Sequence, residues 1–319
     1  MAVRRSSPRL ALNGASSRSS SPGRGAAAGR RLKRDLTGWA FAGPATFVVL
    51  GLSVFPALWA LLISREKWNG FAPAQSVGWL NYKRMTDDPD LVAAVKHTVE
   101  FTAMFVPISL ILGLLIAIAL NQPIRFIGFY RTCIFVPFVA SAAATGILAS
   151  FVFNPQFGIA NAALRGLGVP PQQFLEDPKQ VMVMLTIVSL WGSVGFNVVV
   201  YLAALQDISR DLTEAAIVDR AKPWQVFWYV TVPQLRPVTV FTAAWQTITA
   251  LQLFDLVYTT TRGGPLGASQ TIVYYVYIQF RQLLDYGYAS AVSYGLFVVT
   301  MLITIGIVLY ARRRGTEAF

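Results

Sequence analysis

The sequence predicts an all-α integral membrane protein of six transmembrane helices. Three observations carry this reading. The chain is 55% hydrophobic and only 13% charged, with a mean hydropathy of +0.51, too apolar for an ordinary soluble domain. Six stretches reach the roughly 20 residues that a helix needs to cross a hydrocarbon core, with no charge near their middles. Lysine and arginine gather at alternate ends of those stretches, as they do on cytoplasmic flanks.

The spans fall at residues 37–64, 98–120, 132–153, 181–205, 238–258 and 289–311. Pro44 and Pro56 are expected to kink the first. Glu100 and Asp255 lie close to span ends, both on the outer side. The longest connections are about thirty residues, so one polytopic domain over 37–311 is expected. It lies between a basic cytoplasmic tail, 1–36, and a short cytoplasmic end, 312–319. The tail is rich in Ser, Gly, Ala and Arg and carries much of the net charge of +12. Such a composition reads as disordered, touching anionic lipid rather than nucleic acid. The apolar run after it is too long for the core of a cleaved signal peptide, so the first helix is retained.

Charge fixes orientation. The arginines of the tail and Arg312, Arg313 and Arg314 place both termini in the cytoplasm, with 121–131 and 206–237 on the same side. The loops 65–97, 154–180 and 259–288 then face out. The first outer loop departs from the rule, holding Arg65, Lys67, Lys83, Arg84 and Lys96, nearly balanced by Glu66, Asp87, Asp88 and Asp90. Soluble chemistry is largely excluded. One cysteine rules out an intramolecular disulfide, and one histidine, His97, rules out a histidine metal cluster. No G-x-x-x-x-G-K-[ST] loop occurs, so ATP hydrolysis through that cradle is not expected of this chain.

The segment 211–237, between the fourth and fifth spans, is unlike lipid-facing sequence. Asp211-Leu212-Thr213-Glu214 reads as a capping box opening a helix of two to three turns. Ala215 and Ala216 give that helix a small face, and Pro223 begins a second helix. A short surface helix with a small face and charged ends is shaped to dock into a groove. Glu214-Ala215-Ala216-x-x-Asp219-x-Ala221, followed by Phe227, Pro233 and Pro237, resembles the EAA motif of the permease subunits of bacterial ATP-binding-cassette importers. There the motif forms the coupling helix that seats in the ATPase. Its usual glycine is Arg220 here, which implies either a helix running on towards Pro223 or a turn strained by about 1 kcal/mol.

Further strings in the same order extend the resemblance to sugar-type permeases of the MalF and UgpA class. They are GWLNY at 78–82, FNPQFGIANAAL at 153–164, FDLVYTTTRGGP at 254–265 and YGYASAVS at 286–293. The resemblance implies a type I importer fold with a MetI-like core. It implies a second homologous permease, an ATPase dimer that binds ATP and magnesium, an extracytoplasmic substrate-binding protein, and alternating access. No cofactor is expected in this chain itself.

Two polar stripes offer a substrate path. Thr186, Ser189, Ser193, Asn197 and Tyr201 recur at helical spacing on the fourth span, and Gln246, Thr249 and Gln252, with Trp245 alongside, on the fifth. At 1.5 Å per residue, Ser193 lies roughly 18 Å from the outer end and Thr249 roughly 16 Å from the inner end, so the stripes meet near mid-depth. Such side chains either bond across helices as packing or line a cavity. Hydroxyls, amides and aromatic rings without a basic residue suit a sugar. A glycerol-phosphate-type solute would need its positive charge from the partner permease. A secondary transporter would bring ionisable groups to mid-membrane, and a membrane enzyme would cluster acids or histidines; neither pattern is present.

Overall fold

The computed structural model describes residues 38–313. The tail 1–36 and the end of the chain after Arg313 lie outside the described residues. Contacts divide the chain into a unit up to Trp59 and a second from Ala60 onward. Among the described residues five helices are long and apolar enough to cross a membrane, or six if a pair bent at a break is counted as one span.

The first helix, α1, runs Gly38–Ile63 and continues through Pro44. Ahead of Pro56 it widens into a π-turn, Leu50–Val54, where the Phe55 amide reaches back to the Leu50 carbonyl. A proline ring crowds the carbonyl four residues earlier and offers no amide, and one wider turn relieves both problems. The same device recurs at Pro233. There a π-turn, Phe227–Thr231, ends with the Val232 amide on the Phe227 carbonyl.

In the second unit a hairpin, β1 (Glu66–Lys67) with β2 (Gln75–Ser76), pairs antiparallel with Glu66 opposite Ser76. Helix α2 (Leu80–Asp87) follows, and buried Asn81 ties it to the hairpin through the carbonyls of Ser64 and Glu66, each at 2.9 Å. Helix α3 (Pro89–Leu120) is capped by Asp88 and runs through Pro107. The expected third span is not continuous. It is α4 (Ile127–Val139) and α5 (Ala142–Val152), bent by 101°. Pro137 weakens the last turn of α4, Ala140 and Ser141 are extended, and Ser141 restarts the chain as the N-cap of α5. Helix α6 (Ile159–Gly166) lies in the next loop.

Helix α7 (Val181–Asp207) packs along α3 at the centre of the unit. Gly113 permits the approach, because a Cβ there would overlap that of Asn197. Phe101, Phe105, Leu185 and Val188 fill the contact at one end, and Ala117, Val198 and Leu202 at the other. After α8 (Arg210–Val218) and α9 (Pro223–Val226) comes α10 (Arg236–Leu251). The fifth span also breaks, at residues 252–254, before α11 (Asp255–Thr260). Thr271 donates to the Leu253 carbonyl that the break releases, at 2.7 Å, as a buried polar backbone requires. Helices α12 (Ile272–Arg281) and α13 (Tyr286–Arg313) complete the fold.

Candidate functional site

Two surfaces carry the residues singled out in the sequence. The first is α8. Its N-cap is Ser209, whose hydroxyl accepts from the Asp211 amide at 3.3 Å. The helix therefore begins before Asp211, and Asp211 and Glu214 do not form the expected capping box. Asp211 sits in the first turn, where its charge meets the positive end of the helix. At the other end the Ala221 amide reaches the Ala216 carbonyl (3.0 Å) and the Arg220 amide the Ile217 carbonyl (2.9 Å). These are the paired bonds of a Schellman turn. Arg220 holds the left-handed position with φ +57°, so the helix stops where a motif glycine would stop it, and an arginine bears the strain.

No residue of α8 is buried. Glu214, Ala215, Asp219 and Arg220 are exposed and Ala216 and Ala221 half-buried, while Ile217 and Val218 are 61% and 81% exposed. Pro223 opens α9 as expected, and the Gln225 side chain closes its start by accepting from the Lys222 amide at 2.7 Å.

The second surface is where the polar stripes of α7 and α10 meet, and the structure divides their residues. Asn197 and Gln246 are fully buried and bonded to each other: the Gln246 amide donates to Asn197 Oδ1 at 2.6 Å, and Asn197 Nδ2 donates to the Ser109 carbonyl at 2.9 Å. They stitch α10, α7 and α3 together. Tyr201 is buried as well, its hydroxyl 3.4 Å from Thr239 Oγ1. Trp245 is half exposed, its ring 5.5 Å from that of Phe196.

Ser193, Thr249 and Gln252 instead line a cavity of about 210 Å³ with Phe101, Phe105, Ser189, Phe254 and Asp255. Ser193 donates to the Ser189 carbonyl (2.6 Å) and Thr249 to the Trp245 carbonyl (3.0 Å), so their oxygens remain free to accept. Gln252, at the break after α10, also lines a second cavity of about 380 Å³ with Ser293, Thr300 and Thr304 of α13. The α13 hydroxyls were missed in the sequence, although they sit at helical spacing in the last span.

A third feature, on the expected outer side, had no sequence signal beyond its polar residues. Asp88 Oδ2 accepts from the hydroxyls of Tyr275 (2.5 Å) and Tyr288 (2.6 Å), and its Oδ1 caps α3 through the amides of Asp90 (3.1 Å) and Leu91 (3.2 Å). Burial alone would raise the Asp88 pKa. The tyrosine hydroxyls and backbone amides outweigh it and hold the carboxyl below its usual range. Burial, then the Asp88 carboxylate, push Tyr275 well above the usual tyrosine range, so it stays a donor. Arg84 pairs with Asp285 at 2.8 Å and lies 4.0 Å over the Tyr288 ring. His97 Nδ1 lies 3.2 Å from the Gln270 carbonyl.

Broken apolar spans around a largely apolar cavity that carries a few hydroxyls and one amide, with an exposed helix on the loop between two of them, fit a membrane transport component. The chain belongs to the family of binding-protein-dependent transport system inner membrane components, which it matches over residues 107–314. It is a multi-pass inner-membrane protein and a transport component rather than a catalytic one. It is 36% identical to the lactose transport system permease protein LacF of Rhizobium radiobacter, over 86% of this chain and 93% of that one. It is 32% identical to the trehalose/maltose transport system permease protein MalF of Thermococcus litoralis, over 82% and 89%. A crystallised bacterial alginate ABC transporter, in complex with an alginate pentasaccharide-bound periplasmic protein, has the same fold. Its TM-score is 0.80 at 21% identity, over 90% of this chain and 98% of the other.

Proposed function

We propose that this chain is the permease subunit of an ATP-driven sugar importer. Two such subunits form the pathway. An ATPase dimer binds ATP and magnesium and docks on α8 from the cytoplasm, and an extracytoplasmic binding protein delivers the solute. Both termini then face the cytoplasm, with the tail 1–36 on that side. Closure of the ATPase dimer draws the two coupling helices together and turns the cavity outward.

The observation that carries the coupling role is α8 itself. It bears the Glu214-Ala215-Ala216 motif, has no buried residue, and ends in the Schellman turn at Arg220 ahead of Pro223. The sugar assignment rests on the cavity chemistry of Ser193, Thr249 and Gln252 beside Phe101 and Phe254, together with the lactose and trehalose/maltose relatives. Asn197, Tyr201 and Gln246 support the path by fixing α7 against α3 and α10, and Trp245 lies outside the cavity wall. The test is hydrolysis by the assembled complex. The isolated chain should hydrolyse no ATP, and the complex should hydrolyse it faster with sugar-loaded than with empty binding protein. Equal rates with both would overturn the proposal. A thermal-shift screen of the cognate binding protein identifies the sugar.

A further inference from the structure

The bracket from α9 to α10 differs chemically from the helix it holds. Helix α8 and its turn carry the acids Asp211, Glu214 and Asp219 beside Arg210 and Arg220, whereas no carboxylate occurs between Asp219 and Asp255. The bracket instead carries cations at its two ends, Lys222 and Arg236, both exposed. Between them Trp224, Trp228 and Tyr229 are 56%, 59% and 74% exposed. Trp224 and Trp228 are four residues apart, which places them on one side of a continuous helical stretch. Arg236 opens the spanning helix α10. Trp228 is eight residues before it, so chain continuity keeps the bracket within roughly 12 Å of the start of that spanning helix.

Indole and phenol groups with a polar edge belong at headgroup depth, and uncompensated lysine and arginine there attract anionic lipid. A groove shaped for the small Ala215 and Ala216 of α8 does not fit the large exposed rings of the bracket. We propose that Lys222, Trp224, Trp228, Tyr229 and Arg236 form a binding surface for anionic phospholipid headgroups. Lipid held there fixes the depth at which α8 is presented to the ATPase, so anionic lipid tunes coupling. This rests on the coupling role given to α8.

The test uses the full complex in nanodiscs of phosphatidylcholine alone or mixed with phosphatidylglycerol. Hydrolysis stimulated by the loaded binding protein should be higher in the mixture for the wild type. Lys222→Gln with Arg236→Gln should abolish that difference and cut co-purified phosphatidylglycerol, with roughly a five-fold weaker preference for each cation removed. Trp224→Ala with Trp228→Ala should weaken lipid retention while leaving the charge unchanged. The ATPase should still co-purify with every variant, because α8 is untouched. A wild type indifferent to phosphatidylglycerol overturns the proposal. So does a double-glutamine variant that keeps the wild-type difference, which would assign it to other cations such as those of the tail. Loss of the ATPase from the double-glutamine variant in detergent would make the bracket a protein contact and also overturn it. Failure of Ala216→Trp to disturb the ATPase would instead remove the coupling role, a separate result.

Discussion

Replacing Asn197 by leucine tests whether the mid-membrane amides serve the fold or the solute. Leucine keeps the Cβ that lies against Gly113 and has a similar shape, so the packing of α3 on α7 survives. What is lost is the acceptor for Gln246 Nε2 and the donor to the Ser109 carbonyl. A buried group left unpaired costs about 1–3 kcal/mol in water-soluble proteins. Interhelical bonds in membranes average about 0.6 kcal/mol and reach about 1.7, because the unfolded chain also finds partners. Asn197→Leu should therefore cost about 1–2 kcal/mol, and Gln246→Leu a similar amount. The double variant leaves neither amide orphaned and should cost less than the sum, with a coupling of about 1 kcal/mol. Denaturation in mixed micelles reads the four corners of the cycle, and vesicle uptake reads transport. Additive losses would show that the pair is not the stitch described here. Unchanged stability with abolished uptake would move Asn197 into the solute path.

Gln252→Leu should do the opposite, lowering uptake roughly five-fold for a lost bond of about 1 kcal/mol while thermal stability holds; unchanged uptake would take Gln252 out of the path. Arg220→Gly should relieve the left-handed strain by about 1 kcal/mol, slowing amide exchange at the end of α8 about five-fold, and equal exchange would deny the strain. Because the folded pKa of Asp88 is depressed, its carboxylate stabilises the fold fully above the unfolded value of about 3.9, and that contribution is lost as pH falls through the lower folded value. An acid titration of thermal stability should show this loss, and Asp88→Asn, which cannot titrate, should be less stable at neutral pH and lack the Asp88 step. A variant with the wild-type acid profile would assign the loss to other groups.

The spans were legible because hydrocarbon demands long apolar runs, and the helix from Pro223 because proline suits a first turn. Other features turned on tertiary facts. Pro107 lies inside an unbroken α3 whereas Pro137 precedes a bend of 101°, and the prolines themselves do not separate the two. The second restarts because Ser141 caps a new helix. Ser209 and Asp211 are both good caps, and only the backbone chose between them. Helical spacing put Asn197 and Ser193 on one stripe of α7, yet four residues along the axis one meets α10 and α3 and the other a cavity. The EAA pattern located the surface helix, and the left-handed Arg220 at its end was one of two readings that the sequence left open.

The central claim is that α8 is the part of this chain that seats in the ATPase. Ala216→Trp tests it most directly, because the alanine is a small side chain of the motif on a helix with no buried residue and lies outside the spanning helices. Overpacking a fitted contact costs about 1–3 kcal/mol or more. The variant should insert into the membrane and pair with its partner permease as the wild type does, yet lose the ATPase on purification and lose uptake. Glu214→Ala should be milder, removing at most one interfacial ion pair. Wild-type ATPase retention and uptake by Ala216→Trp would make α8 a connector and contradict the account.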